Sequence, residues 1–327
     1  MTRALPLSLG AVATLLFAAS LAIGPAGVAP GRALAALFRD DGLLTLVMRE
    51  IRLPRALLAV MVGASLGLAG AAMQGYLRNP LAEPGLIGVS GAAALGAVIA
   101  IHSGLAAAFT LGLPLLALLG AAVGVALILL LAGPRGSSLT LILAGIAISA
   151  LAGALTSLAL NLSPNPFAVS EIVFWMMGSL QDRSMTHVWI AAPFMVLGWA
   201  LLLSLGRSLD ALTLGEDAAQ AMGVNLGRLR LALVFGTAAA VGAATAVAGA
   251  IGFVGLVVPH LLRPLVGARP SLLLPASALG GAAMVLAADI AVRLILPDRD
   301  LKLGVLMALV GAPLFLHLIY KTRKESA

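Results

Sequence analysis

Runs of about 20 apolar residues, each long enough to cross a bilayer core as a helix, recur along this chain with short polar interruptions. They fall at 5–25, 56–76, 113–132, 139–160, 188–206, 231–251, 272–296 and 303–320. Two shorter apolar pieces, 86–102 and 253–267, are broken by glycine or proline and predict short or partly re-entrant helices. The pattern predicts an all-α, polytopic membrane protein of about ten spans, with residues 1–327 as a single transmembrane domain. Residues 5–23, preceded by Arg3, also have the outline of a signal peptide. Many spans follow and no clear small-residue cleavage site intervenes, so this stretch is read as the first span.

Polar residues interrupt the pattern most sharply in Gln74-Gly75-Tyr76-Leu77-Arg78-Asn79-Pro80-Leu81-Ala82-Glu83-Pro84-Gly85. An amide, an arginine, a carboxylate and two prolines cannot form a lipid-facing helix. Irregular backbone near membrane depth persists only where protein or a water-filled cavity satisfies it. The block is therefore a candidate for the moving part of a transport path, with an ordinary tight loop as the plain alternative.

A faint internal repeat places a second break in the corresponding position. Arg52-Leu53-Pro54-Arg55 leads into a span that ends at Gln74-Gly75, and Arg228-Leu229-Arg230 leads into one that ends at Gly252-Phe253-Val254-Gly255. Each is followed by a short Pro-containing piece and two long spans. Spans 2–5 thus echo spans 7–10, and a displacement of five crossings makes the two halves face opposite ways, the inverted-repeat plan of many transporters. Chance similarity between Ala/Gly/Leu-rich spans is the alternative. Gly63/Gly67 and Gly120/Gly124 stand at GxxxG spacing within spans and suit close helix packing in lipid.

Composition agrees: 61% of the residues are hydrophobic, 10% are charged and the mean hydropathy is +1.10. The net charge of +7 rests mainly on arginines scattered between the spans, which is not a stripe that tracks nucleic-acid phosphates. No cysteine is present, so disulfides and thiolate metal sites are excluded. His102, His187 and His317 stand alone, and no metal site is expected. His260, beside Pro259 and Arg263 in the second broken piece, is read as a capping or packing residue, with titration near neutral pH as the alternative. With the N-terminus inside, eleven basic residues lie inside and nine outside, a narrow margin for the positive-inside rule. The basic tail Lys321-Thr322-Arg323-Lys324 and the long polar segment 210–230 favour that orientation, whereas Arg49, Arg52 and Arg55 run against it.

Several ordered stretches resemble the FecCD-type permease subunits of type II ATP-binding-cassette importers, which take up iron–siderophore complexes, haem and cobalamin. They are residues 52–96, WMMGSL at 175–180, LGEDAAQAMGV at 214–224, and AGAIGFVGLVVPHLLRPLVG at 248–267. Residues 274–293 and 304–319 complete the set, so the resemblance covers nearly the whole chain. It implies ten helices per subunit, a second permease copy (a homodimer or close heterodimer), two cytoplasmic ATPase subunits and a periplasmic binding protein. The chain's own lysines are Lys302, Lys321 and Lys324, and none belongs to a G-x-x-x-x-G-K-[ST] phosphate loop. No cofactor is therefore expected, and any ATP is bound by a partner.

The resemblance also assigns residues. Asn79, Pro80 and Leu81 match the inner gate, where proline stops the helix and Leu81 plugs the constriction. Ser137 and Ser138 match a second gate position, a role no stronger than that of ordinary loop residues. Gly215, Glu216, Ala218, Ala219, Met222 and Gly223 match a coupling helix that rests on the ATPase, punctuated by glycines and acidic in its first turn. Arg52 and Arg55, joined by Arg293, match positions that pair with acids of the binding protein. Simple interfacial anchoring is the alternative for these three. Asp289, four residues before Arg293, would lower the membrane cost of both charges. Trp175, Met176 and Met177 read as packing at the outer side, with an adaptable path lining as the alternative.

The expected function is a non-enzymatic translocation subunit of an ATP-driven importer in a bacterial inner membrane, with both termini cytoplasmic. Its expected cargo is a ferric siderophore or haem, with cobalamin as the alternative. An ion-coupled secondary transporter is the first rival, although the spans hold almost no ionisable groups besides Asp289. An intramembrane enzyme is disfavoured, since no paired carboxylates, HExxH motif or nucleophile–base set lies within the spans.

Overall fold

A computed structural model describes residues 4–24, 28–133, 137–295 and 301–325. The described residues form helices, turns and irregular links, with no strand among them. After α1 (Ala4–Ala22) come two short helices, α2 (Pro30–Ala35) and α3 (Leu43–Leu46). A π-helical turn, Val47–Arg52, then joins α3 to α4 (Leu53–Leu77), so Leu43–Leu77 forms one apolar run of 35 residues. A 3₁₀ turn at Pro84–Ile87 precedes α5 (Val89–His102), which is followed by α6 (Leu105–Ala108), α7 (Gly112–Ala132), α8 (Ser138–Asn161) and α9 (Pro166–Met176). Next are α10 (Met185–Ser204), α11 (Gly206–Leu212), α12 (Glu216–Ala221) and α13 (Leu226–Ala248). The second half ends with α14 (Val254–Leu262), a 3₁₀ turn at Arg263–Val266, α15 (Pro270–Ile295) and α16 (Leu303–Glu325).

Seven of these helices are long and apolar enough to cross a membrane, and four shorter apolar helices accompany them: Val89–His102, Pro166–Met176, Val254–Val266 and Leu303–His317. The two pieces expected to be short, 86–102 and 253–267, are among the four found short. Helix α9 was not anticipated as an element. Its 11 residues stop at Met176, with Trp175 buried and Met176 and Met177 over a third exposed. Arg3, Arg135 and Arg299, three of the arginines weighed for orientation, lie outside the described residues, as does Pro25 at the end of the first expected span.

Burial identifies the centre. In the most apolar 18-residue stretch of Leu43–Leu77, 83% of the residues are buried by the chain itself, and in that of α13 72%, whereas those of α7 and α8 reach 33%. The two central helices are the first members of the two repeats. Glycine permits the closest packing here, because lipid offers no hydrophobic drive between helices and backbones must approach to gain contact. A Cβ on Gly63 would overlap the Gly281 carbonyl oxygen, and one on Gly281 would overlap that of Gly63. Gly67 faces the Ser277 carbonyl in the same way, so α4 and α15 cross antiparallel at a glycine-lined seam. Gly120 meets the Ala92 carbonyl, and Gly96 that of Leu116, so α5 and α7 repeat the device.

These pairings fix the directions. Gly242 on α13 faces Ala121 on α7, and Arg230 at the start of α13 bonds Gly133 beyond the end of α7, so the two run antiparallel. Helix α10 is antiparallel to α13 through Gly198–Ala240 and Gly236–Leu202, and with α11 it runs parallel to α4, through the Trp199 Nε1–H bond to Ser65 Oγ (2.9 Å) and then the contact of Leu209 on α11 with Gly75. Consequently α4 and α13 point opposite ways. Their successors follow suit: α14 runs with α4, while α5 runs with α13 and against α7. The two halves are inserted in opposite senses, as the repeat predicts.

Candidate functional site

Helix α4 ends because Arg78 adopts a left-handed conformation (φ +50°) and the Asn79 N–H caps back onto the Gln74 carbonyl. The Asn79 side chain then closes a turn by accepting the Leu81 N–H at 2.9 Å. From there the chain climbs back into the bundle. Pro84 packs against Gly255, and the Leu66 carbonyl adjoins the same glycine. Leu66 lies 77 − 66 = 11 residues before the end of α4, about 16 Å along a helix. The second break mirrors this. Gly249 (φ +72°) leaves α13 with the Trp175 carbonyl against it, and the extended link descends to Val254, where α14 begins.

The two broken pieces meet beside the middle of α4. Pro259 has no N–H to give the Gly255 carbonyl four residues earlier, and that carbonyl presses on Gly70, where any Cβ would overlap it. Around the junction lies a cavity of about 150 Å³, walled by Val62, Leu66, Thr245, Phe253 and the Ser90 hydroxyl, with Glu83 as its one carboxylate. Irregular backbone at this depth is thus lined by protein and cavity, as it must be in a membrane. Gln74 stabilises the arrangement from α4: its Nε2–H donates to the Leu256 carbonyl (3.2 Å) and its Oε1 accepts from Arg263 (2.7 Å).

The expected gate residues gather at the Arg78 end. Asn79 is exposed, and Pro80 and Leu81 are half-buried. Ser137 caps α8, its Oγ accepting the Thr140 N–H at 3.2 Å, and Ser138 is the first residue of that helix. Tyr76, 8% exposed, joins the two segments: its hydroxyl meets Ser138, and it lies within the fields of Arg230 and Glu216. Sequence reading placed Gln74 and Tyr76 in the polar break and Arg230 before a later span, but gave none of the three a role of its own. Their polarity inside apolar helices was the available signal.

Helix α12 is bounded by Gly215 (φ +108°) and Gly223 (φ +86°), left-handed positions that favour glycine. Glu216 and Asp217 occupy its exposed first turn. Ala219 is fully buried in the main core and Ala218 half-buried, so these two residues of the expected coupling helix pack against the body of the protein. The exposed apolar side chains here are Leu214 (70%) and Met222 (55%).

At the opposite end the three expected docking arginines turn inward. Arg52, 6% exposed, donates to the Leu21 and Ala22 carbonyls at 2.9 and 3.0 Å. Arg55 and Arg293 flank Asp289 with N–O distances of 2.9 and 3.0 Å. Arg293 also bonds the Ser20 and Ile23 carbonyls and the Ser20 hydroxyl. The i,i+4 pair foreseen between Asp289 and Arg293 is therefore present, but as part of a cluster that ties α1 to α4 and α15. The expectation that these arginines stand ready for an acidic partner is corrected to that extent: their hydrogen bonds go to this chain. Among the described residues, the exposed arginines at this end are Arg32, Arg39 and Arg49. Arg32 pairs with Asp41 at 2.7 Å, and that hydrogen bond holds the Asp41 carboxyl below the ordinary carboxylate range.

An inverted repeat of helices, with two broken pieces meeting mid-bundle and the expected gate segments at one end, defines a membrane transport permease. The chain belongs to the FecCD transport family, which it matches over residues 12–321. It is 36% identical over 322 residues to the Fe(3+)-citrate import system permease protein YfmE of Bacillus subtilis, covering 98% of this chain and 96% of that one. Against the vitamin B12 import system permease protein BtuC of Salmonella paratyphi A, identity is 38% over 319 residues, or 97% and 95% of the two chains. A solved structure described as an inward-facing conformation of a metal-chelate type ABC transporter superposes with a TM-score of 0.87. That match is 36% identical and covers 98% of this chain and 99% of the other.

Proposed function

We propose that this permease is the translocation subunit of an ATP-driven importer in a bacterial cytoplasmic membrane. It works beside a second permease copy, a pair of cytoplasmic ATPases and a periplasmic binding protein. The carrying observation is that α12, packed on α11, and both expected gate segments occupy one end of the bundle, with Tyr76 meeting Ser138 between the gate segments. A push on α12 from an ATPase is then passed through α11, whose Leu209 packs on Gly75, to the end of α4 and Asn79–Leu81. This orientation puts the Arg78 end and both termini in the cytoplasm. The sequence holds no phosphate-binding loop, so ATP is bound and hydrolysed by the partner.

The binding protein docks at the opposite end, on the rim of Arg32, Arg39 and Arg49 above the Arg52–Arg55–Arg293 cluster. The cargo is an iron complex, as the iron-citrate relatives support, and cobalamin is the second candidate because the BtuC relatives resemble the chain equally. Cargo passes by alternating access: ATP closes the partners, α12 transmits the closure, and the inner gate and outer mouth open in turn.

Reconstitution of the chain with its ATPase and binding protein in liposomes tests this reading. Cargo-loaded binding protein should stimulate ATP hydrolysis and drive uptake. Uptake that survives ATP depletion but collapses with a protonophore would point instead to a secondary transporter. In the same assay Glu216→Arg, which reverses charge at the N-terminus of α12, should reduce uptake at least about tenfold while the ATPases still hydrolyse ATP. Reversal at a helix N-terminus removes a favourable dipole contact and places a repelling charge against any basic docking surface. Normal uptake by this variant would remove α12 from the coupling path.

A further inference from the structure

We propose that Arg78, Arg263 and Arg269 form a binding site for the phosphate headgroup of an anionic phospholipid. The site rests on the preceding section only in calling this end of the bundle cytoplasmic. The three residues line one cavity of about 590 Å³, enclosed by the end of α4, helix α11 with Thr213 and Leu214, and the turn from α14 into α15. Each arginine marks the end of a membrane helix. Arg78 caps the C-terminus of α4, Arg263 caps that of α14, and Arg269 immediately precedes Pro270 at the start of α15. Their charges therefore share the level at which spans end and headgroup phosphates begin.

The charge balance favours an anion. One carboxylate, Asp210, shares the cavity, and three cations less one anion leave +2. Asp210 is already engaged, accepting the Ser271 N–H at 2.8 Å and facing Arg269 at 3.6 Å. Arg263 is anchored through Gln74 at 2.7 Å, yet its Nε–H is buried without a hydrogen-bond partner among the described residues. Buried donors in this state call for an acceptor, and phosphate oxygens match a guanidinium fork. Leu261 and Leu265, 58% and 61% exposed on either side of Arg263, offer apolar surface for an acyl chain. Basic pockets between helices at the cytoplasmic face have this composition when they hold anionic headgroups.

The full chain, purified in neutral detergent, should retain phosphatidylglycerol in preference to phosphatidylcholine of the same chain length when both are titrated under native mass spectrometry. The paired substitution Arg263→Gln/Arg269→Gln should erase that preference, weakening phosphatidylglycerol roughly fivefold for each charge removed and about 25-fold for the pair. Because Arg263 also contacts Gln74, a second pair, Arg78→Gln/Arg269→Gln, keeps the test decisive if the first fails to fold. Equal retention of the two lipids, or a preference that both pairs leave unchanged, would overturn the site. Displacement of phosphatidylglycerol by millimolar inorganic phosphate would assign the pocket to a soluble anion, and loss of lipid on adding the ATPase would assign it to that protein. Either result overturns the lipid reading while leaving ATP-driven uptake untouched.

Discussion

Replacing Asp289 with alanine should lower the stability of the permease by about 3–5 kcal/mol, the usual consequence of removing one partner from a buried charge cluster. The Asp289 side chain is 1% exposed, and it neutralises Arg55 and Arg293, themselves 17% and 11% exposed. Without it two guanidinium groups face each other across α4 and α15, with only neutral oxygens, the Ser20 and Ile23 carbonyls and the Ser20 hydroxyl among them, to offset them. Unfolding of the detergent-solubilised protein, followed by intrinsic fluorescence or scanning calorimetry, gives the measurement. Asp289→Asn should fall in the same range, since the charge rather than the shape is what the arginines need. The triple variant Arg55→Met/Asp289→Leu/Arg293→Met should recover most of the loss, because well-packed apolar groups often replace a buried ion cluster at little cost. An alanine variant as stable as wild type would mean that lipid headgroups or water satisfy both arginines.

That cluster alters how binding-protein docking has to be tested. Charge reversal at Arg52 and Arg55 would place two carboxylates beside the Leu21 and Ala22 carbonyls and Asp289, so the fold would fail before any partner was consulted. Arg39→Glu/Arg49→Glu is the informative substitution. Both side chains are exposed, and the Arg49 Nε–H bond to the Leu37 carbonyl (3.1 Å) is the one internal contact at stake. Association with the binding protein should weaken at least about fivefold, mainly in its on-rate and most at low salt, as expected for rim charges. Unchanged affinity at low ionic strength would remove this rim from the interface.

The contrast shows what was legible in the chain. Hydrophobic run length located the long spans, and the glycine and proline breaks located α5 and α14, because both signals are local. Gly215 and Gly223 bounded α12 correctly for the same reason: a left-handed position is a property of one residue. Pairings across the bundle carry no local mark. Arg55 meets Asp289 across 234 positions of sequence, and nothing near Arg55 announces that its partner lies on α15 rather than on another protein. Ala219 illustrates the limit from the other side. An alanine in a six-residue helix looks the same whether it faces a core or a partner, and only the packing of α12 on α11 decides. The short helices α2, α3 and α9 escaped because too few turns are present for a period to emerge.

The junction of the two broken pieces should prove the least tolerant point of the molecule. Gly70→Ala adds one carbon that would overlap the Gly255 carbonyl oxygen and lie 2.5 Å from both its carbonyl carbon and its Cα. All three atoms are backbone, so no side chain can swing aside. Gly255 is crowded as well, because Pro84 and the Leu66 carbonyl lie within 2.9 Å of where its own Cβ would stand. The expected cost is about 3 kcal/mol, the upper end for overpacking, with uptake abolished even if some protein folds, since the strain falls on the start of α14 and on the segment carrying Leu81. Gly252→Ala is the matched control. It lies three residues from Gly255 with no atom near its would-be Cβ and no left-handed backbone, so its stability should stay within about 0.5 kcal/mol of wild type. Thermal unfolding and ATP-driven uptake of the two variants, measured side by side, decide the matter. If Gly70→Ala transports as well as Gly252→Ala, the broken helices do not bear on α4 in the working permease, and the route from α12 to the junction would have to run through another helix.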